Sequence, residues 1–172
     1  DHGGFALKQR IREHLIERGI KIADLGTDSE ESVDYPEFGK ACAQAVASGK
    51  ADRGIVICGT GIGISIAANR IRGIRCGLCT SVEMAELSRK HNNANMLAMG
   101  GRITSVEDAI RITDAWLDTE FEGFNRSIVK CKCVNDNGTR IVQKCFNRSI
   151  VKCKYHIDQQ QWQVFRCVLI EA

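Results

Sequence analysis

The 172 residues are 44% hydrophobic and 26% charged, a balance that suits a globular domain with an appendage and excludes a disordered or low-complexity chain. No apolar run reaches the ~20 residues of a membrane-spanning helix, and no secretory leader precedes the first helical pattern; the expectation is a cytoplasmic protein with no membrane partner. The net charge of +3 conceals two unlike parts: residues 1–123 hold 15 Lys and Arg against 18 Asp and Glu, a balance of −3, whereas 124–172 hold 9 against 3, a balance of +6. A domain boundary is therefore expected at Gly123, followed by a basic tail that reads as a solvated segment rather than a nucleic-acid surface.

The chain opens on Asp1-His2-Gly3-Gly4, the chemistry of a strand-to-helix turn, so a strand is expected ahead of it. Residues 5–18 place Leu7, Ile11, Leu15 and Ile16 at helical spacing, and Gly19 supplies a stop. Residues 20–25 read as a strand, and 26–36 as an acidic, solvated loop. Its Asp28, Glu30, Glu31 and Asp34 lack the glycine and terminal glutamate of a calcium loop. A helix over 37–47, a strand over 54–58, a helix over 65–70 and a strand over 74–79 follow. The helix 82–90, strand 96–99 and helix 106–119 complete the pattern. Such alternation predicts a Rossmann-like α/β fold, three layers deep, with a parallel sheet between helices and its first strand missing from the front.

After Gly123 the pattern changes. The nine residues from Phe124 to Lys132 recur letter for letter from Phe146 to Lys154, 22 positions later, as a recent duplication or a foreign sequence would. These β-branched repeats are expected to pair as a hairpin across the turn-rich 135–138. Cys131, Cys133, Cys145, Cys153 and His156 lack paired Cys-x2-Cys spacing, which argues against zinc. The Asn-x-Ser/Thr triplets at Asn125, Asn137 and Asn147 read as chance matches. Cys42, Cys58, Cys76 and Cys79 fall within helix and strand patterns, where free thiols suit a reducing compartment.

Residues 55–65 carry the chemistry most visibly. An apolar strand runs into Cys58, then into Gly59, Gly61 and Gly63 with Thr60 and Ile62 between them, then into a helix. Glycines let backbone amides approach a ligand, and a strand, an amide-lined loop and a helix N-terminus meeting at a thiol favour its thiolate. The spacing fits neither the nucleoside-triphosphate loop nor the dinucleotide fingerprint. What remains is a nest for a phosphate or a developing oxyanion, or else a tight turn with a buried cysteine. Thr60 is placed to bond a substrate hydroxyl or to shape the turn.

Asp1 and His2 belong to the same rim as Cys58, as candidates to accept a hydroxyl and to contact an anion. Arg102, after another strand end, is a candidate phosphate ligand or a surface arginine. His91 and Asn92 follow a helix, at the opposite rim. There His91 either caps the helix, whose C-terminus favours its charged form, or enters the site of a neighbouring subunit.

Six segments, Asp1-His2-Gly3-Gly4-Phe5, Asp24-Leu25-Gly26-Thr27, Asp34-Tyr35-Pro36, the run from Ile57 to Asn69, Gly73-Ile74-Arg75 and His91-Asn92-Asn93-Ala94-Asn95, together closely resemble ribose-5-phosphate isomerase type B over residues 1–123. The resemblance implies a homodimer with shared sites, with a tetramer as the alternative assembly. It implies cofactor-free, metal-free interconversion of ribose 5-phosphate and ribulose 5-phosphate. By the same resemblance Cys58 is the base and His91 of the second subunit opens the furanose ring. Gly59, Thr60, Gly61, Ile62 and Gly63 hold the enediolate, Asp1, His2 and Asn92 bind substrate, and Arg102 contacts phosphate.

The family usually continues past a segment like Glu120-Phe121-Glu122-Gly123 with a second glycine and an Arg-His-x-x-Arg cluster on a C-terminal helix, which clasps the phosphate. Here the chain reads Phe124-Asn125-Arg126-Ser127-Ile128-Val129-Lys130, and Arg126 and Lys130 do not reproduce that spacing. Two alternatives stay open on these grounds: an isomerase of hexose 6-phosphates, and a phosphosugar-binding protein with little turnover.

Overall fold

The computed structural model describes residues 1–123 fully, together with the backbone of 129–134 and 140–145. The chain divides into two compact units, Asp1–Asn125 and Arg126–Ala172.

In the first unit a 3-10 turn, His2–Gly4, leads into α1 (Phe5–Glu17), and α2 (Tyr35–Ala47) follows a long loop. Then come β1 (Gly54–Cys58), α3 (Ile62–Asn69), β2 (Cys76–Leu78), α4 (Val82–Lys90), β3 (Met96–Gly100) and α5 (Val106–Asp118). The sheet is parallel in the order β1-β3-β2, with Gly54 opposite Met96 and Cys58 opposite Gly100.

Side-chain alternation along β3 builds the three layers. Leu97 and Met99 enter a core with Leu7, Ile11 and Leu15 of α1, Ala85 of α4, and Ala109, Ile112 and Trp116 of α5. Met96 and Ala98 enter the opposite core with Ala43 and Val46 of α2 and Ile64 and Ala68 of α3. A strand buried on both faces needs no polar alternation, and β3 has none: all five residues are buried. Helix starts are marked by side chains. Ser81 accepts the Met84 amide at 3.2 Å and Ser105 accepts the Asp108 amide at 3.1 Å, each satisfying a donor that the helix cannot.

Three expectations need correction. Residues 20–25 form no strand. Residues 22–25 line a cavity of about 120 Å³ together with Ile55, Val56 and Ile57 of β1, no ladder pairs them with a described strand, and Ile22 and Leu25 face solvent. Lys8 holds this segment instead, bonding both Asp24 carboxylate oxygens and the Thr27 carbonyl. The helix expected from residue 65 begins at Ile62, so it absorbs Gly63. Ile16, counted with the helical stripe of α1, is 52% exposed, while Leu7, Ile11 and Leu15 are buried.

In the second unit β4 (Val129–Val134) pairs antiparallel with β5 (Arg140–Cys145). The expected strand pairing thus occurs, but its second strand precedes the second repeat copy rather than coinciding with it, and 135–139 lie outside the described residues. Residues 124–128, with Asn125 and Arg126, and 146–172, with Asn147, Cys153 and His156, lie outside the described residues, as does Asn137. Lys130 lies in a strand, not on the helix that the resemblance implies there.

Candidate active site

β1 and β3 are neighbours, yet the helices that follow them leave on opposite faces of the sheet, α3 over one core and α5 over the other. Adjacent strands whose connections diverge open a crevice at their carboxyl ends, where ligands of open α/β sheets bind. Cys58 is the last residue of β1 and stands at this crevice.

The loop after Cys58 is shaped by backbone. Gly61, at φ 78°, donates its amide to the Cys58 sulfur at 3.1 Å. A Cβ on Gly61 would lie 2.6 Å from Leu78 Cδ1 and 2.8 Å from the Met99 carbonyl carbon, so the position is closed by packing as well as by conformation. Thr60 Oγ1 accepts the Ile62 amide at 3.4 Å, and both residues are exposed. The first-turn amides of α3 have no intrahelical partner. Cys58 itself is buried, 5% exposed.

The other strand end closes against this loop. Gly101 donates to the Cys58 carbonyl at 2.7 Å and Arg102 to the Gly59 carbonyl at 3.0 Å. The Arg102 side chain lies along Gly59, within 3.5 Å of where a Cβ there would stand. It has no hydrogen-bond or ion-pair partner among the described residues. The front turn crosses the same place: a Cβ on Gly101 would sit 2.7 Å from the Gly3 carbonyl oxygen, and one on Gly4 2.6 Å from the Ile57 carbonyl oxygen. The Asp1 nitrogen donates to the Ile57 carbonyl at 2.8 Å, and Asp1 Oδ1 is buried without a hydrogen-bond partner. His2 Nδ1 accepts the Val33 amide at 3.2 Å, which fixes the ring and leaves Nε2 for another partner.

Asp1, His2, Cys58, Gly59, Thr60, Gly61, Ile62, Gly63 and Arg102 thus gather at one rim. His91 and Asn92 do not. They are exposed between α4 and β3, at the end of the sheet where Gly54 pairs Met96. Strands rise about 3.3 Å per residue, so a strand's length separates them from Cys58 in one chain. Asp28, Glu30, Glu31 and Asp34 are all exposed, and the described residues contain no cluster of three or more metal-ligating side chains.

Sequence reasoning gave no weight to two features. Tyr35 at the start of α2 backs the loop: a Cβ on Gly63 would meet its ring at 2.6 Å. The only signal for it was its place in a family motif. At the other rim Arg89 is 6% exposed and donates to Asn93 Oδ1, the Ala94 carbonyl and the Thr119 carbonyl. Burial first, and then the charges of Arg53 and Arg75, push its guanidinium below the ordinary arginine value. No spacing in the sequence announces a contact between residues 30 apart.

No helix among the described residues is long and apolar enough to cross a membrane. Residues 1–133 match the Ribose/Galactose Isomerase family. Ribose-5-phosphate isomerase B of Escherichia coli is 52% identical over 123 residues, which cover 72% of this chain and 83% of that protein. A galactose-6-phosphate isomerase subunit of Clostridium acetobutylicum is 41% identical over 132 residues, 76% of each chain. The solved ribose-5-phosphate isomerase B of Clostridium thermocellum superposes with a TM-score of 0.71 at 55% identity, covering 72% of this chain and 83% of that one. With a buried thiol at the switch point of its parallel sheet, this chain belongs to the ribose/galactose isomerase family of sugar-phosphate aldose-ketose isomerases.

Proposed function

We propose that the chain interconverts ribose 5-phosphate and ribulose 5-phosphate through an enediolate, with Cys58 as the base. The observation that carries this reading is the Cys58 sulfur, buried at a strand end and accepting the Gly61 amide at 3.1 Å. A hydrogen bond from an amide stabilises a thiolate. A thiolate beside C1 and C2 of an open-chain aldose can take the C2 proton and return it to C1, so one base serves both carbons. Charge that collects on the O1 and O2 oxygens meets the amides of Gly59 to Gly63 and the first turn of α3. One such donor is worth about 10²–10³ in rate in acyl-transfer enzymes.

The remaining roles follow from open valences. Asp1 Oδ1, buried and unpaired, accepts a sugar hydroxyl, and His2 Nε2 reaches another. Thr60 bonds a hydroxyl from the loop's outer face, and Arg102, without a side-chain partner among the described residues, takes the phosphate. The furanose form of ribose 5-phosphate must open before its C2 proton becomes acidic. We assign that step to His91, with Asn92 binding substrate beside it, both reaching the crevice of a second copy of the chain.

A homodimer is supported by apolar side chains left in solvent on two helices: Ile62 and Ile66 of α3, each 53% exposed, and Met84 and Leu87 of α4, 44% and 42% exposed. The four described cysteines outside the tail are all free, which suits the reducing cytoplasm.

The test is conversion of ribose 5-phosphate by the wild type and by Cys58→Ala. We expect the variant to lose about 10²–10⁴ in turnover, the range of a positioned acid-base group. Equal rates would remove Cys58 from the mechanism. Ribose, galactose and allose phosphates offered in competition would settle pentose against hexose preference.

A further inference from the structure

The turn that carries His91 and Asn92 is built unlike the rest of the rim. Its two exposed residues stand between two fixed points. On one side the His91 amide closes α4 onto the Leu87 carbonyl at 2.9 Å. On the other, Asn93 is the one non-glycine residue among the described residues with positive φ, at 47°. Its conformation is held from three directions. Arg89 Nη1 donates to Asn93 Oδ1 at 3.1 Å and to the Ala94 carbonyl at 2.6 Å, Arg75 Nε donates to the Asn93 carbonyl at 2.8 Å, and the Asn93 amide donates to the Arg89 carbonyl at 3.1 Å.

Arg89 is fixed in turn. Its Nε reaches the Thr119 carbonyl at 3.2 Å and its guanidinium lies 5.8 Å from the Trp116 ring centre. No carboxylate pairs with it among the described residues. Burying a cation against carbonyls is a poor way to gain stability, because an apolar side chain avoids the desolvation cost. What the arrangement does supply is one geometry for the two residues between its anchors.

We propose that Arg89, acting through Asn93, is a positioning residue that presents His91 for ring opening. The inference rests on the assignment of His91 above. It requires a readout that separates ring opening from proton transfer. Ribulose 5-phosphate provides one, because its O5 carries the phosphate and cannot close a five-membered ring on C2. Exchange of its C1 proton with deuterated solvent therefore needs the base and the oxyanion donors but no ring chemistry. Net conversion of ribose 5-phosphate needs both.

The experiment compares these two rates, and the urea midpoint, in four variants. His91→Ala is the reference. Asn93→Gly keeps the positive φ available while deleting the Oδ1 acceptor, Asn93→Asp keeps an acceptor, and Arg89→Lys keeps charge while losing the fork. We expect Asn93→Gly and Arg89→Lys to lower ribose 5-phosphate turnover about tenfold or more, the scale of one well-aligned hydrogen bond. C1 exchange should stay within about twofold of wild type, and Asn93→Asp should restore turnover.

Parallel loss of both rates, or unchanged rates in Asn93→Gly, overturns the positioning role. If His91→Ala itself lowers both rates together, the ring-opening assignment falls and the inference falls with it. If His91→Ala separates the rates and the Asn93 and Arg89 variants do not, only the positioning role fails.

Discussion

The two ends of the parallel sheet are made by different chemistry. At the carboxyl end, where Cys58 stands, loops meet through backbone. Gly61 donates to sulfur, Gly101 to the Cys58 carbonyl and Arg102 to the Gly59 carbonyl. At the amino end backbone bonds such as those of Gly54 to Asn95 and Asn95 to Arg75 are joined by a set of side-chain bonds. Arg53 donates to the Trp116 and Leu117 carbonyls at the end of α5, Arg75 and Arg89 hold the Asn93 turn, and Asn95 bonds the Arg75 amide and the Gly73 carbonyl. Three arginines at one rim suggest an anion site until their donors are followed to carbonyls. At the other rim one arginine, Arg102, has no side-chain hydrogen-bond or ion-pair partner among the described residues. Unspent hydrogen-bonding capacity, rather than charge count, separates the candidate site from the scaffold.

The sharpest way to break this contrast is at one positive-φ position from each end, Gly61 and Asn93. Gly61→Ala puts a Cβ 2.6 Å from Leu78 Cδ1 and 2.8 Å from the Met99 backbone, on a conformation that itself disfavours a side chain by about 1–2 kcal/mol. With the clash added, we expect a loss of about 3 kcal/mol or more in urea denaturation, together with loss of turnover. Asn93→Gly should shift the urea midpoint far less, since glycine adopts that backbone freely. If the two substitutions cost the same, the carboxyl-end loop is looser than its packing implies.

Arg89→Ala comes next. It strands the Ala94 carbonyl in a buried setting and the Thr119 carbonyl and Asn93 Oδ1 in half-buried ones, so we expect about 2–4 kcal/mol of destabilisation. Arg102→Ala, which breaks no side-chain bond among the described residues, should leave the urea midpoint within about 0.5 kcal/mol of wild type and appear instead as a raised KM. A stability loss at Arg102 equal to that at Arg89 would erase the distinction between spent and unspent donors.

Smaller still are the helix caps. Ser81→Ala and Ser105→Ala each remove one side-chain acceptor from a helix start, worth about 1 kcal/mol in thermal or urea unfolding. An effect below the error of the measurement at either site would mean that water replaces the cap.

How much of this was legible depended on whether the signal was local. β1 and α4 were read to the residue, Gly54–Cys58 and Val82–Lys90, because an apolar run and a Ser-capped amphipathic segment need no distant information. The segment 20–25 alternates like a strand but needs a ladder partner, which no local pattern can supply. α3 began earlier than expected because glycine's poor helix propensity was overridden where Gly63 packs under Tyr35. The carboxyl rim was legible as a motif, since its residues are short-range neighbours in three loops. The grip of Arg53 and Arg89 on α5 was not, because it joins residues 63 or 64 and 30 positions apart.

The faintest test probes the two thiols of the amino rim by pH. Cys42 lies against Gly54 at the amino end of β1, and Cys76 is the first residue of β2. Burial pushes Cys42 up to about 11. Burial, and then the neighbouring Cys42 and Cys79 thiols, push Cys76 up to about 12. Both thiols therefore keep their protons in the folded chain at pH values where an unfolded cysteine, near 8.5 to 9, has lost its own. The stability each contributes is present below the unfolded pKa and is lost as pH rises from about 9 towards the folded values. Near pH 9.5 the loss should be somewhat under 1 kcal/mol for each thiol. Urea midpoints measured from about pH 7.5 to 10 should fall more steeply for wild type than for Cys42→Ala or Cys76→Ala. Parallel slopes would mean that these thiols titrate as freely in the folded chain as in the unfolded one, and that the amino rim is wetter than its packing suggests.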